Sequence, residues 1–304
     1  MTLFLQQLVN GIGNGVVYGA VALALVLIYR TTGVLNFAQG EMALFTTYLA
    51  WKFARSVPVA AAIALAFVIG FVGGAIIERV LIRPVEEARS PLNVVIVTLG
   101  LFLGINALPQ LIFGTDSQQM PKPWPSDAAP GDVVGTTRAV KVGAVSVSWA
   151  VIALALMMVA VCALLWLLFQ KTRLGLALRA VASNPESSRL VGINAGLTLM
   201  LGWALSAGLG AIVGPLVAAR STGFDASLMQ GVLVFAFSAA ALGGFDSVLG
   251  AVVGGLVVGI AEALTTQYVD PLNGIEVLLP LLLILGVLLI RPNGLFGRRT
   301  VERV

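Results

Sequence analysis

Three acidic residues interrupt long apolar stretches of this 304-residue sequence and are its first candidates for chemistry: Glu41, Asp246 and Glu262. An acid at the centre of a membrane helix costs about 2.5 to 3.5 kcal/mol on insertion scales, so its presence requires a partner or a function. Acids in this setting are typical of solute and ion pathways. Glu262 lies towards the end of its apolar stretch, where we expect it at the external interface.

The sequence lacks most of the groups on which hydrolytic and metal enzymes depend. It contains no histidine, which excludes His-based metal sites and His-dependent nucleophilic triads. Its single cysteine, Cys162, lies in an apolar stretch and has no intrachain disulfide partner. Neither a phosphate-binding G-x-x-x-x-G-K-[ST] motif nor a D-D-x-x-D motif occurs. We therefore expect no enzymatic activity and no cofactor or metal in this chain. Because serine and aspartate side chains can also perform chemistry, a membrane enzyme stays open as an alternative to a transport protein.

Glu41 lies in the polar stretch GVLNFAQGEM, together with Asn36 and Gln39. If a helix begins in this stretch, Asn36 and Gly40 share a face because they are four residues apart. Such amides suit a hydrated path through a helical bundle. The alternative is a helix end near the cytoplasmic surface, since Arg30 marks the interface only a turn or two away.

Glycines in GAIVGP (210–215) and LGGFDSVLGAVVGGLVVG (242–259) recur at spacings of three and four, which lets helix backbones approach closely. We expect tight packing to explain most of them. Around Gly243, Gly244 and Asp246 a polar residue interrupts the apolar pattern, which favours a functional break.

The longest basic interruption is KTRLGLALRAVASNPESSRLVG, residues 171–192. Asn184, Pro185 and Glu186 have the pattern of an N-cap, a first-turn proline and an acid at the positive end of a helix, and Gly192 ends the segment. The pattern predicts a short helix lying across the membrane face. An ordinary amphipathic connection is the alternative.

Composition and hydrophobic runs together predict an all-α, polytopic integral membrane protein. Of the residues 59% are hydrophobic and 11% charged, against about 25% charged in soluble domains. The net charge of +4 comes from residues that flank apolar runs, so we expect contact with lipid and no nucleic-acid partner. About nine helices are predicted, with eight to ten tolerated. They cover residues 7–29, 33–50, 58–82, 92–113, 147–169, 193–219, 230–244, 248–268 and 275–290.

The basic residues predict that the N-terminus is outside and the C-terminus is cytoplasmic. Threading nine segments with residues 170–192 inside places twelve of the 18 basic residues on the cytoplasmic side and six outside. The inner set is Arg30, Arg79, Arg83, Arg89, Lys171, Arg173, Arg179, Arg189, Arg291, Arg298, Arg299 and Arg303. Residues 114–146 then form an external loop, in which VKVGAVSVS predicts a short strand pair.

Four ordered motifs resemble those of the branched-chain amino acid ABC importer permeases of the LivH type, and the likeness extends over nearly the whole chain. These motifs are GVLNFAQGEM, TRLGLALRAVASNPESSRLVGI, LGGFDSVLGAVVGG and RPNGLFG. The resemblance implies a single permease domain, residues 1–304, in the bacterial inner membrane. It also implies a second, LivM-like permease subunit, two ATP-binding subunits that hold ATP and magnesium, and a periplasmic solute-binding protein.

The resemblance, together with the residue patterns described above, gives two sets of candidate site residues. Contact with the ATPase is expected from the cytoplasmic coupling loop, residues 170–192, through Arg173, Gly175, Arg179, Ala182, Glu186, Arg189 and Gly192. The transport path is expected to involve Asn36, Phe37, Gln39, Gly40, Glu41, Gly243, Gly244 and Asp246. The sequence departs from the family pattern at Gln39, where histidine is frequent, and at Phe245 and Asp246, where glycines are more usual.

The predicted function is inward transport of a branched-chain or other hydrophobic amino acid, driven by ATP hydrolysis in the partner subunits. Permeases for urea and short amides share the same motifs and stay open as the alternative. A stand-alone secondary carrier or channel is the alternative from another class. It is disfavoured because the three acids form no matched set in two halves of the chain.

Overall fold

The structure is a computed structural model that describes residues 2–86, 91–127, 137–143, 145–269, 275, 278–291 and 293–297. Part of the predicted external loop and the basic residues Arg89, Arg298, Arg299 and Arg303 lie outside these residues.

The described residues form twelve α-helices and one antiparallel strand pair. The helices are α1 Thr2–Thr32, α2 Gln39–Phe53, α3 Val59–Ile77, α4 Arg83–Glu86, α5 Pro91–Phe113, α6 Trp149–Lys171, α7 Arg173–Ser183, α8 Pro185–Leu190, α9 Ala195–Arg220, α10 Leu228–Gly243, α11 Val248–Tyr268 and α12 Leu278–Ile290. A π-helical turn, Glu78–Ile82, joins α3 to α4. The strands are β1 Ala139–Val142 and β2 Val145–Ser148, which confirms the predicted strand pair.

Each of the nine predicted membrane segments coincides with a helix in the described part of the chain. Within the described residues, six helical spans are long and apolar enough to cross a membrane: Thr2–Thr32, Val59–Val85, Leu92–Phe113, Trp149–Lys171, Ala195–Arg220 and Val248–Tyr268. The helices α10 and α12 are shorter apolar helices, and α2 has 15 residues. The prediction of an all-α polytopic membrane protein is therefore confirmed.

Helix α1 lies at the centre of the bundle, because most of its side chains from Gly11 to Ile28 are buried. It packs antiparallel against α11 through facing glycines. A Cβ atom built on Gly15 would lie 2.7 Å from the Cα atom of Leu256, and one on Gly255 would lie 2.3 Å from the Cα atom of Gly19. The expected tight packing of the glycine-rich stretch in α11 is thus confirmed.

Contacts between helix ends define two ends of the bundle. At the first, which we name the hairpin end, Gln6 Nε2 donates to the carbonyl oxygen of Ser146 in β2 over 2.9 Å. At the second, which we name the α7–α8 end, the guanidinium of Arg30 lies 5.5 Å from the centre of the Phe169 ring. In the predicted topology the hairpin end is external and the α7–α8 end is cytoplasmic.

The predicted start of the second helix at residue 33 is wrong, because α2 begins at Gln39. The side-chain oxygen of Asn36 accepts a hydrogen bond from the backbone N–H of Ala38 over 3.0 Å. This local turn competes with helical hydrogen bonding and delays the helix. Asn36 and Gly40 therefore do not share a helical face.

Candidate functional site

Gln39 joins α2 to the middle of α9. Its Nε2 atom donates to the carbonyl oxygen of Ser206 over 3.1 Å. The hydroxyl oxygen of Ser206 lies 2.8 Å from Gln39 Oε1 and 2.7 Å from the carbonyl oxygen of Ala24 in α1. The hydroxyl has one proton, so it donates a hydrogen bond to one of these two oxygens at a time. Gln39 and Ser206 are both fully buried. Three helices are therefore connected by polar groups inside an apolar bundle.

Asn36 and Phe37 lie just before α2. Asn36 is fully buried, and its Nδ2 atom lies 3.5 Å from Gln39 Oε1 and 3.6 Å from the sulfur of Met42. The ring of Phe37 packs against that of Phe237 in α10, with 5.4 Å between the centroids. This segment therefore packs against α10 on one side and continues the polar contacts of Gln39 on the other.

Glu41 in α2 is fully buried, and it faces α5 and the segment that precedes α10. Its Oε2 atom accepts a hydrogen bond from Asn106 Nδ2 over 2.8 Å, and the same nitrogen lies 2.9 Å from the carbonyl oxygen of Ala226. Its Oε1 atom is buried and has no hydrogen-bond partner within the described residues. An unsatisfied buried acceptor is costly, and a proton or an ammonium group reaching it would satisfy it.

Gly40 lies between Gln39 and Glu41 where α2 meets α10. A Cβ atom there would lie 3.3 Å from the side chain of Leu233. The five predicted path residues in this stretch are therefore brought together, in a packed region between helices.

Gly243 is the last residue of α10 and Gly244 begins the connection to α11, at the α7–α8 end. The backbone N–H groups of Leu295 and Phe296 donate to the carbonyl oxygens of Leu242 and Gly243 over 2.8 and 3.0 Å. Residues 293–297 therefore cover this connection, which brings the motifs LGGFDS and RPNGLFG together.

Asp246 lies half-buried in the same connection. The neighbouring Phe245 packs against Tyr29 at the end of α1, with 5.4 Å between the ring centroids. These contacts lie at the end of the bundle, whereas Gln39 contacts the middle of α9. The eight predicted path residues thus form two separate groups in this structure.

Helix α7 is fixed to the end of α6. Thr172 caps α7, because its hydroxyl oxygen accepts from the N–H of Gly175 over 3.0 Å. Gly175 is buried against Leu168, whose carbonyl oxygen would lie 2.0 Å from a Cβ atom there. Arg179 folds back so that one guanidinium nitrogen lies 3.3 Å from Gln170 Oε1, whereas Arg173 is exposed.

Helix α8 has the predicted start and end. Asn184 Oδ1 accepts a hydrogen bond from the N–H of Ser187 over 2.9 Å, and Pro185 occupies the first helical turn. Gly192 ends the segment with a φ of +83°. The predicted short helix is confirmed. Among the predicted coupling residues whose exposure is described, the exposed ones are Arg173, Ala182, Arg189 and Gly192.

Glu186 lies on α8, but its side chain is outside the described part of the structure. Two neighbouring apolar side chains were missed by the sequence analysis. Leu190 is 89% exposed and Val191 is 77% exposed at the tip of the segment. Their exposure was not evident in the sequence, because SSRLVG also fits an amphipathic helix end that buries its leucine.

A buried ion pair near the α7–α8 end was also missed. Arg83 contacts both carboxylate oxygens of Glu78, over 3.1 and 3.0 Å, and Glu78 is fully buried. Arg83 also donates to the carbonyl oxygen of Gly196, in the first turn of α9. The two charges are five residues apart across a π-helical turn, so the usual helical spacings of three and four do not reveal them.

A cavity of about 230 Å³ opens at the hairpin end. It is lined by Asn14, Val17, Tyr18, Val217, Arg220, Ser221 and Val232. Arg220 donates to the side-chain oxygen of Asn14 over 3.0 Å. Asn14 Nδ2 and the Tyr18 hydroxyl both donate to Glu262 Oε2, over 3.0 and 2.8 Å. The only sequence signal was that Asn14 and Tyr18 are four residues apart among the glycines of α1.

Comparison with known proteins gives one consistent family over most of the chain. Residues 7–288 match the family described as the permease component of branched-chain amino acid transport systems. The chain is 31% identical to the high-affinity branched-chain amino acid transport system permease protein LivH of Escherichia coli (strain K12), over 99% of this chain and 98% of that protein.

Two further relatives differ in source and in extent. The high-affinity branched-chain amino acid transport system permease protein BraD of Pseudomonas aeruginosa is 30% identical over 99% of this chain and 98% of its own length. The galactose/methyl galactoside import permease protein MglC of Escherichia coli is 35% identical over 94 residues, which are 30% of this chain and 28% of that protein. No solved structure matches.

Proposed function

This chain belongs to the family of branched-chain amino acid transport permease components, and on that premise we propose that it is the permease subunit of an ABC importer for branched-chain or other hydrophobic amino acids. The observation that carries the proposal is the match of residues 7–288 to a single family of transport permeases. Six membrane-length apolar helices suit a translocation pathway. The sequence contains no phosphate loop, so the energy is expected from separate ATP-binding subunits.

The α7–α8 region is the proposed contact with those subunits. Leu190 and Val191 present apolar surface beside the exposed cation of Arg189, a combination that suits a groove on a partner protein. Because α7 packs on α6 and α8 leads directly into α9, a force on this region is passed to two membrane helices. ATP must interact differently with the two conformations of the importer, since equal affinity would shift no equilibrium.

The transport path is proposed to open beside α2. Support comes from the concentration of buried polar groups there, above all Glu41, whose Oε1 atom has no hydrogen-bond partner in the described part of the chain. In the structure these groups are covered by α5, α9 and α10, so α2 must separate from at least one of them for a solute to pass. The connection at Gly243, Gly244 and Asp246 is proposed to flex at the inner mouth of the same path.

The remaining assignments follow from the same proposal. The chain resides in a bacterial inner membrane with its N-terminus outside and its C-terminus in the cytoplasm. It pairs with a LivM-like second permease and works with two ATP-binding subunits and a periplasmic binding protein. Residues 114–146 lie outside and residues 170–192 contact the ATPases. ATP and magnesium are held by the partners.

Reconstitution tests the proposal. We expect the tagged chain, purified in mild detergent from its host, to bring ATP-binding subunits with it. Vesicles containing this complex should accumulate radiolabelled leucine only when ATP and the binding protein are supplied. Uptake without ATP-binding subunits would instead show a secondary carrier. ATP-driven uptake of urea but not of leucine would overturn the proposed solute.

A further inference from the structure

The cavity at the hairpin end has a charged, a polar and an apolar part. It is formed by α1, α9 and α10, and its volume of about 230 Å³ lies below the range of about 300 to 1,000 Å³ typical of drug-sized ligands. A small organic molecule therefore fits it better than a peptide or an oligosaccharide.

Arg220 supplies the positive pole of the cavity. It is the last residue of α9, and its guanidinium is held by α1, with one nitrogen 3.3 Å from the carbonyl oxygen of Gly13 and the other 3.0 Å from Asn14 Oδ1. A guanidinium has five N–H donors, so these two contacts leave donors for a ligand. Its planar shape matches a carboxylate through two parallel hydrogen bonds.

An acid lies behind the wall that α1 contributes to the cavity. Asn14 and Tyr18 line the cavity, and both donate to the carboxylate of Glu262 in α11. The hydroxyl oxygen of Tyr18 keeps lone pairs that can accept a hydrogen bond from an ammonium group, and the nearby negative charge favours that group. The ring of Tyr18 is fixed by stacking on Phe235, with 4.7 Å between the centroids and 9° between the planes.

The third part of the cavity is aliphatic. Val17, Val217 and Val232 come from three different helices and contribute no hydrogen-bonding side-chain group. A simple inorganic anion would use Arg220 and leave this surface in contact with water. A small zwitterion with an aliphatic side chain uses all three parts.

We infer that this cavity is a binding site for the zwitterion of a small aliphatic amino acid, at the end of the bundle where the solute enters. Arg220 binds the α-carboxylate, Tyr18 with Glu262 stabilises the ammonium group, and the three valines contact the side chain. The inference rests on the proposed function, because it assumes that amino acids are the transported solutes.

Competition binding to the purified membrane complex, prepared without the solute-binding protein, tests the inference. We expect radiolabelled leucine to bind to the unaltered complex and leucinamide, which lacks the carboxylate, to compete about tenfold less well, as expected for one bidentate charged contact. Arg220→Gln should remove this preference. Arg138→Gln is the matched control, because it removes a cation at the same end that pairs with exposed Asp127 over 2.8 Å. It should keep the preference.

A second variant guards against misfolding of Arg220→Gln. Val232→Phe fills the cavity and leaves the hydrogen bonds of Arg220 intact, so it should weaken leucine binding more than alanine binding. The inference would be overturned if Arg220→Gln and Arg138→Gln showed the same preference for leucine over leucinamide. It would also be overturned if a complex that transports leucine did not bind it. Either result would leave the proposed function standing. A complex that transports a different solute and no amino acid would overturn both.

Discussion

Asn106 in α5 donates a hydrogen bond to Glu41 in α2 across 2.8 Å, although the two residues are 65 positions apart in the sequence. Because Glu41 is fully buried and its other oxygen has no partner among the described residues, this bond is the main compensation for its burial. A fixed bond here holds α2 against α5. The rings of Tyr48 and Trp51 in α2 also pack on Phe113 in α5, so separation of the two helices would require loss of both kinds of contact.

Loss of the Asn106 amide should destabilise the protein through Glu41. Asn106→Leu leaves both carboxylate oxygens unpaired, and we expect a loss of about 1 to 3 kcal/mol of unfolding free energy. Chemical unfolding in detergent measures the change. Combining Asn106→Leu with Glu41→Met should recover much of the loss. Asn93→Leu, an exposed site on the same helix, is the control. Equal stability of Asn106→Leu and Asn93→Leu would show that the hydrogen bond between Asn106 and Glu41 contributes nothing.

Contact between α1 and α11 should not tolerate a side chain at Gly255. A Cβ atom there would lie 2.3 Å from the Cα atom of Gly19, so Gly255→Val must push the helices apart. We expect a lower melting temperature and poor yield of folded protein in detergent. Gly104→Val on α5 has no atom within 4 Å of its Cβ position and is the control. Similar yields of both variants would contradict the prediction.

Removal of Arg83 should leave a buried, unpaired charge. Arg83→Met deprives Glu78 of its bidentate partner, and we expect a loss of about 3 to 5 kcal/mol of unfolding free energy, as for other broken buried pairs. Glu78→Gln in the same chain should reduce that loss. Arg79→Met, an exposed cation on the same turn, is the control. Because Arg83 also holds the first turn of α9, ATPase stimulation by solute should fall as well.

Leu190 should be required for binding the ATP-binding subunits. Leu190→Asp places a charge on a side chain that is 89% exposed, so the fold should be unaffected while an apolar contact with a partner is lost. Co-purification of the subunits measures the effect, and we expect most of it to disappear. Val140→Asp on β1, at the opposite end of the bundle, should change nothing. Undiminished co-purification with Leu190→Asp would remove α8 from the contact.

Gly192 should be required for coupling ATP hydrolysis to uptake. Its φ of +83° is closed to proline, whose φ is near −65°, and its N–H donates to the carbonyl oxygen of Arg189 over 3.1 Å. Gly192→Pro should therefore displace α8 and allow ATP hydrolysis without uptake in vesicles. Gly192→Asn tolerates the positive φ and should retain coupling. The prediction fails if Gly192→Pro vesicles accumulate leucine normally.

Local features of the fold were predictable from the sequence because their causes are local. Long apolar runs identified all nine segments, and the order Asn184, Pro185 and Gly192 identified α8, since a cap and a positive φ depend on neighbouring residues only. The start of α2 was predicted too early because the apolar neighbours of Asn36 favoured a helix. The competing hydrogen bond that Asn36 accepts from Ala38 is much harder to recognise in a sequence.

The sequence by itself determined a helical membrane protein, its family and the position of its exposed basic segment. Only the tertiary structure decided which polar groups meet: Glu41 with Asn106, Glu78 with Arg83, and Asn14 with both Arg220 and Glu262. The physical reason is that the hydrophobic pattern of a segment determines whether it is buried but does not determine which other helices it packs against. Those neighbours are set by the close fit of glycine faces and by the need of each buried polar group to find a partner.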